Sequence, residues 1–227
     1  MKILDVGFGW GGLSIRLAQT VPGCHITGIT LSKEQKAWAE DRVRALGLES
    51  SVHFEMADYR EFAAAHAGEF DRVFSCEMVE AVGHRHLGTF MGACGQLLKN
   101  PTGRLVLQAI TMPEARYEEY ITSADFINTI IFPGGCCPSL RALLDGMASN
   151  SELMLHACEN RALHYAETLR VWQRNFNARL PEVRALGFDD AFIRLWNYYF
   201  VYCEAGFQSR TLGLHLLVFD FPGGAEE

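Results

Sequence analysis

The sequence predicts an α/β fold: a doubly wound, mostly parallel, seven-stranded sheet forming a single domain over residues 1–227. Three observations carry this. The apolar run Lys2-Ile3-Leu4-Asp5-Val6 ends in Gly7-Phe8-Gly9-Trp10-Gly11-Gly12 and passes into an amphipathic stretch, the pattern of a buried parallel strand turning into a helix. Strand and helix patterns then alternate as far as Ile110, which dictates parallel pairing through right-handed crossovers. Beyond Ile110 the alternation is interrupted by helical insertions at about 112–148 and 160–207, placed after the fifth and sixth strands.

Each element has a local reason. Leu13 to Thr20 is the first helix, ended by Val21-Pro22-Gly23, and Cys24 to Ile29 is the second strand. Ser32 caps a helix running to Leu46, with Gln35 completing an S-x-x-Q capping box and Gly47 stopping it. Ser51 to Met56 alternates as the third strand, with Asp58-Tyr59 at its carboxyl end, and Asp71 to Cys76 is the fourth. Glu77 to Gly83 is too apolar for an exposed loop. A helix from His86 to Leu98 leads through the turn Asn100-Pro101-Thr102-Gly103 to the fifth strand, Arg104 to Ile110. Tyr117 to Ile131 reads as helical, Phe132 to Pro138 as a loop, Ser139 to Met147 as helix and Glu152 to Cys158 as strand six. Leu163 to Phe207 holds two or three aromatic-rich helices, and Leu212 to Phe221 is the last strand.

The glycines at 7, 9 and 12 fit G-x-G-x-x-G, where backbone without Cβ approaches a nucleotide and helix-start N–H groups point at it. A dinucleotide fold would place an acid at the end of the second strand for the ribose hydroxyls. Here that strand ends in Thr30-Leu31-Ser32, with no acid before Glu34, so a nicotinamide cofactor is disfavoured. The conspicuous acid is instead Asp5, inside the first strand, which either serves the charged end of a smaller cofactor or braces the turn. Ligands of open α/β sheets bind at the carboxyl ends of the strands. The aromatic insertions over that edge either wall an apolar cavity or form a second core layer, and periodicity does not decide between them.

With 49% hydrophobic residues the chain can bury a full core, and its net charge of -7 argues against a nucleic-acid partner. No run approaches a transmembrane span, and no charged n-region precedes an apolar one. Seven cysteines without a C-x-x-C pair point to a reducing, cytoplasmic compartment and away from disulfides or zinc, and no metal is expected. Cys24, Cys76 and Cys94 read as small buried apolar residues. His84, His86 and His164 read as surface or packing residues.

Seven ordered pieces of sequence resemble the cyclopropane-fatty-acyl-phospholipid synthases and their mycolic-acid methyltransferase relatives. They are Leu4-Asp5-Val6-Gly7-x-Gly9-Trp10-Gly11-Gly12, Thr27 to Gln35, Asp58-Tyr59-Arg60, Glu77 to Gly83, Ile131 to Cys136, His164-Tyr165-x-x-Thr168-Leu169 and Tyr202-Cys203-x-Ala205-Gly206-Phe207. The wording around Cys76 to His84 is similar to the plant and algal branch. The resemblance implies a class I, Rossmann-like methyltransferase fold and S-adenosylmethionine as cofactor, surrounded by Gly7, Gly9, Gly11, Thr30, Leu31, Gln35, Asp58 and Tyr59, with Asp5 as a further candidate. Asp58 can accept from an adenine amino group and Tyr59 can stack on the ring. Gln35 serves either the cofactor or the helix cap.

The implied reaction is methyl transfer to a cis double bond of an unsaturated phospholipid acyl chain, followed by proton loss and ring closure. A cationic intermediate requires a site that excludes water yet holds a base. The resemblance implies a bound bicarbonate in that role, held by Glu80, Tyr165, the backbone at Ile110 and the residue at 108. Glu80, flanked by Met78, Val79, Ala81 and Val82, is expected to be desolvated with its pKa raised. Cys203 matches a cysteine proposed as a nucleophile in the family, but an apolar setting makes a structural role the alternative. Gln108 stands where bacterial members often have histidine, and Phe8 where cysteine is usual. Relatives carry a segment before the first strand that covers the cofactor, so the resemblance implies an N-terminally truncated chain. The function expected is therefore a lipid methyltransferase meeting its substrate peripherally at the membrane, with a homodimer left open. The alternatives are a non-catalytic cofactor-binding fragment or a methyltransferase of another lipid or small molecule.

Overall fold

A computed structural model describes residues 1–223 of the chain. Its centre is a seven-stranded sheet in the order β3-β2-β1-β4-β5-β7-β6. The strands are β1 Lys2–Val6, β2 His25–Thr30, β3 Val52–Met56, β4 Arg72–Cys76, β5 Arg104–Thr111, β6 Met154–Asn160 and β7 Gly213–Asp220. The first five pair in parallel. β7 runs antiparallel to both β5 and β6. The class I S-adenosylmethionine-dependent methyltransferase fold expected from the sequence is thus the fold observed.

Helices α1 Gly12–Thr20 and α2 Lys33–Ala45 cover one face, and α3 Tyr59–Ala65, α4 Leu87–Leu97 and α6 Leu140–Asn150 the other. Each face has its own core: Phe8, Ile15, Ile26, Ala39 and Phe54 on the first, and Leu4, Phe62, Phe90, Met91, Leu107 and Leu143 on the second. β1 is buried from Ile3 to Val6 because helices lie on both its faces, whereas β5 alternates buried and half-buried positions. A third cluster forms where α7 Ala162–Ala178 packs on α9 Asp190–Gln208, through Ala166, Leu169, Phe200 and Phe207.

Several elements differ from their sequence expectations for physical reasons. Helix α3 was not signalled by periodicity; its seven residues are launched by Asp58, which accepts from Arg60 N–H at 2.9 Å. The helix expected over Tyr117 to Ile131 is broken into α5 Glu114–Tyr120 and a single π-turn, Ile127–Ile131. The break is held by reciprocal Asp125 and Asn128 side-chain bonds to each other's backbone N–H, local bonding that competes with helix continuation. Strand β6 lies two residues later than expected and is exposed throughout, as an edge strand with a bulge between Leu155 and Ala157. The C-terminal insertion resolves into α7, the short α8 Leu180–Ala185 and α9. Among the described residues no helix is long and apolar enough to cross a membrane.

Candidate functional site

The strand order reverses between β1 and β4, and a cleft opens at their carboxyl ends, as the doubly wound topology requires. Its volume is about 560 Å³, and its lining includes Gly7, Gly9, Thr30, Leu31, Gln35, Asp58 and Tyr59. Gly7 has φ +80, and a Cβ there would stand 2.7 Å from Met78 Cγ, another lining residue. The turn is tied down by Gly7 N–H to Ile29 O, by Gly11 N–H to Phe8 O, both at 3.0 Å, and by Arg42 to Trp10 O at 2.8 Å.

Asp5 and Gly11 support this cleft without lining it. Asp5 is 1% exposed and accepts from Ser14 Oγ at 2.6 Å, joining β1 to the first turn of α1. Burial raises its pKa to about 6 against the opposing effect of that hydrogen bond. Gly11 is the left-handed residue before α1, and a Cβ there would meet Ala39 at 2.9 Å. Phe8, the departure at the turn, is buried and stacks on Phe54 at 4.1 Å over Gly28, whose missing Cβ makes the room.

The capping box at α2 is relayed rather than direct. Ser32 Oγ accepts from Gln35 N–H at 3.2 Å, but the Ser32 N–H goes to Thr30 Oγ1, whose hydroxyl in turn donates to Gln35 Oε1. Gln35 therefore serves the cap through Thr30 while lining the cleft. Asp58 is engaged by Arg60, which donates through Nε at 2.9 Å and Nη2 at 2.6 Å. Those bonds hold its pKa down to about 2, so it is an anion at any working pH. Tyr59 rests edge-on against Phe90 at 5.4 Å. This set, a glycine cradle with apolar walls and a fixed carboxylate at Asp58, fits S-adenosylmethionine. Cys76, expected buried, is exposed at the end of β4 and lines the cleft, whereas Cys24 and Cys94 are buried as expected. His86 also lines the cleft, and His84 bonds the Tyr117 hydroxyl at 2.8 Å.

A second cavity of about 1110 Å³ lies beside the first, roofed by α7, α9 and the loop after the π-turn. Glu80, Ile110, Tyr165 and Cys203 line it, with Trp172, Tyr199 and Tyr202 in its wall. The aromatic insertions therefore do both things left open by periodicity: Phe200 is core, Trp172 and Tyr202 face the cavity, and Tyr199 and Phe207 belong to the core while also lining the cavity. The loop is fastened to the carboxylate segment by Cys136 N–H to Glu80 O at 2.8 Å and to α5 by Cys137 N–H to the Tyr120 hydroxyl at 3.1 Å. Cys203 is buried, and burial pushes its thiol up to about 12, which leaves it protonated and unreactive at neutral pH.

Glu77 and Ala81 line both cavities and form the wall between them. Glu77, one residue past β4, carries φ +53, a left-handed conformation that side-chain-bearing residues rarely adopt. Its N–H donates to Gln108 O at 2.9 Å. Its carboxylate receives Gln108 Nε2 at 2.6 Å on Oε1 and the Tyr165 hydroxyl at 2.5 Å on Oε2. Burial raises its pKa, and both donated bonds act the other way. Glu80 accepts from the Ile110 N–H at 2.6 Å on Oε1, while its Oε2 is buried with no hydrogen-bond partner. Desolvation first, and the charge of Glu77 after it, raise the Glu80 pKa to about 7 against the backbone bonds. Sequence reasoning assigned no role to Glu77. The available signal was an acid directly after the strand that borders the switch point, one step beyond the Cys76–Gln108 register pair.

These donors do not leave a vacant anion site. Of the groups implied for bicarbonate, Gln108 and Tyr165 both donate to Glu77, and the Ile110 N–H donates to Glu80. Both side-chain donors expected for the anion are already taken by the Glu77 carboxylate, and the Ile110 N–H by one oxygen of Glu80, so bicarbonate does not fit the donors present.

The sequence profile described as mycolic acid cyclopropane synthetase matches residues 1–217. The chain is 40% identical to the tuberculostearic acid methyltransferase UfaA1 of Mycobacterium tuberculosis over 213 residues, 94% of this chain and 48% of that protein. It is 31% identical to the cyclopropane-fatty-acyl-phospholipid synthase of Escherichia coli over 219 residues, 96% of this chain and 53% of that protein. The chain thus spans about half the length of these curated relatives. The structure of the cyclopropane synthase MmaA2 from Mycobacterium tuberculosis superposes with a TM-score of 0.84 at 22% identity, covering 97% of this chain and 78% of that one. Mycolic acid cyclopropane synthase CmaA1 complexed with SAH and CTAB gives 0.83 at 24% identity, with the same coverage. At these identities the structural matches establish the fold.

Proposed function

The chain belongs to the mycolic acid cyclopropane synthetase family, and on that premise we propose that it methylates a cis double bond of an unsaturated phospholipid acyl chain, with ring closure to a cyclopropane. S-Adenosylmethionine would supply an electrophilic sulfonium methyl in the smaller cleft. The observation that carries the proposal is the shared wall: a glycine-cradled polar cleft and a large aromatic cavity meet at Glu77 and Ala81. A nucleotide-sized ligand on one side and an apolar chain on the other would approach each other there.

The chain's own residues divide the work. Gly7 and Gly9 would admit the cofactor to the backbone, with Thr30, Leu31, Gln35, Asp58 and Tyr59 around it. Tyr165, Trp172, Tyr199 and Tyr202 would keep water from the cationic carbon, and their ring faces offer it negative charge. Tyr165 and Gln108 position the Glu77 carboxylate, and Glu80 binds the Ile110 backbone. The lipid would be taken from a membrane surface, since Phe132, Trp172 and Tyr202 line the cavity and are also exposed, at 53%, 43% and 39%. On this reading the protein would act as a peripheral enzyme in the cytoplasm.

A second product is favoured by the 40% identity to a tuberculostearic acid methyltransferase: a methyl branch in place of a ring. Expression in a bacterial host lacking cyclopropane lipids, followed by mass spectrometry of fatty-acid methyl esters, distinguishes the two. A ring-containing ester supports the first reading, and a branched ester the second. An unchanged lipid profile with the folded protein present contradicts both.

A further inference from the structure

The bicarbonate that the resemblance implies and the residues this chain presents disagree, and the disagreement has a specific form. Gln108 and Tyr165 point their donors at one pair of oxygens, and those oxygens belong to Glu77. A carboxylate held at both oxygens by an amide N–H and a phenol hydroxyl has the donor environment that a bound bicarbonate would need. It is supplied here by the chain and fixed covalently in the wall between the two cavities. We propose that Glu77 replaces the bound anion and is itself the base that takes the proton from the methylated substrate. This deepens the methyl-transfer reading and rests on it.

Three features of the residue support the role. It is strained: φ +53 is a left-handed conformation that side-chain-bearing residues rarely adopt, and such strain concentrates where a side chain must be aimed. It is fixed twice to the same neighbour, by its own N–H to Gln108 O at 2.9 Å and by Gln108 Nε2 to its carboxylate at 2.6 Å. Both side-chain partners donate, so they support the ionised, proton-accepting form, while burial acts the other way and leaves the carboxylate more basic than usual. Nearby Glu80 lines only the larger cavity, whereas Glu77 stands in the wall shared with the cleft that would hold the methyl donor.

The step balances without a further reactant. Once the methyl carbon is bonded to one alkene carbon, the neighbouring carbon is cationic. A C–H bond of the added methyl breaks, its electron pair forms the bond to that carbon, and the proton passes to a Glu77 oxygen. The product is a neutral cyclopropane and the acid form of Glu77, which returns its proton to solvent. If the C–H bond broken is on an adjacent chain carbon, the same electron pair makes an alkene and leaves a methyl branch.

Two variants separate this role from a structural one. Glu77→Gly suits the left-handed backbone and opens the space, while Glu77→Gln keeps the shape and removes the basic oxygen. In carbonate-free buffer the wild type is expected to keep its full rate, and each variant to lose about 10²- to 10⁴-fold. Added bicarbonate or formate should restore Glu77→Gly by tenfold or more and leave Glu77→Gln unrescued. A titration read by NMR of ¹³C-bicarbonate, independent of turnover, should show broadening with Glu77→Gly and none with wild type. A wild-type rate that falls on removing bicarbonate, broadening of equal size in both proteins, or a Glu77→Gln variant with the wild-type rate would overturn the assignment. If no protein alkylates lipid in any buffer, the methyl-transfer reading fails, and the NMR titration alone then decides whether Glu77 occupies the anion position.

Discussion

The two cavities that meet at Glu77 are built in opposite ways. The cleft over β1 and β4 is made by backbone: a left-handed glycine turn, main-chain hydrogen bonds and a buried Asp5–Ser14 brace. The larger cavity is made by side chains, with aromatic rings from α7, α9 and the π-turn loop leaning over the sheet edge. Backbone construction tolerates almost no change and specifies one ligand geometry. Side-chain construction tolerates much change, and its shape sets which ligand fits. The lesson is that in this fold the glycine-turn end is constrained and the aromatic end is adaptable.

The largest break of this contrast comes from equivalent truncations on the two sides. Phe54→Ala removes a ring that is 2% exposed and stacked on Phe8 beneath the glycine turn, and should cost about 3–5 kcal/mol by denaturant unfolding. Trp172→Ala, at a ring 43% exposed, should cost under about 1 kcal/mol and instead shift the preferred acyl length in competition assays.

The next effect is on pH dependence. The Asp5 pKa is raised from 3.8 to about 6, so its contribution to stability is complete below the lower value and lost as pH rises through the higher one. The loss is about 3 kcal/mol by the usual 1.36 kcal/mol per pKa unit. Asp5→Asn should flatten that part of the stability profile while changing cofactor affinity little, because Asp5 does not line the cleft. Glu80, raised from 4.5 to about 7, should leave a second, higher fall that Asp5→Asn does not remove.

How much was legible in advance follows the same division. The glycine turn was readable because its reason is local: φ +80 at Gly7 needs glycine whatever lies around it. The desolvation of Glu80 was readable from its apolar neighbours in sequence. Glu77 carried no local signal, since its partners Gln108 and Tyr165 lie 31 and 88 residues away and only the sheet register and the α7 crossing bring them together. Trp172 and Phe200 look alike in a helical pattern, yet one lines a cavity and the other is core, because that depends on which face of the α7–α9 pair meets the sheet. Helix α3 was missed because a seven-residue helix launched by a single Asp58 cap has too few turns to show a period.

Two smaller effects sharpen the contrast further. Gly7→Ala forces a Cβ to within 2.7 Å of Met78 Cγ at a left-handed position, and calorimetry should show S-adenosylmethionine affinity falling about tenfold. The smallest effect is expected at Cys203, whose thiol is held protonated: Cys203→Ser should lower the methylation rate less than about threefold, a change inconsistent with a nucleophile.

The central claim, that a methyl group crosses from the nucleotide cleft into a chain in the aromatic cavity, is tested most directly by isotope. The full chain is incubated with S-adenosylmethionine carrying a deuterated methyl group and vesicles of a monounsaturated phospholipid, and the acyl esters are read by mass spectrometry. Label in the acyl chain at the position of the former double bond is the result this structure predicts. Unlabelled acyl chains, with cofactor binding shown in the same preparation, would contradict it.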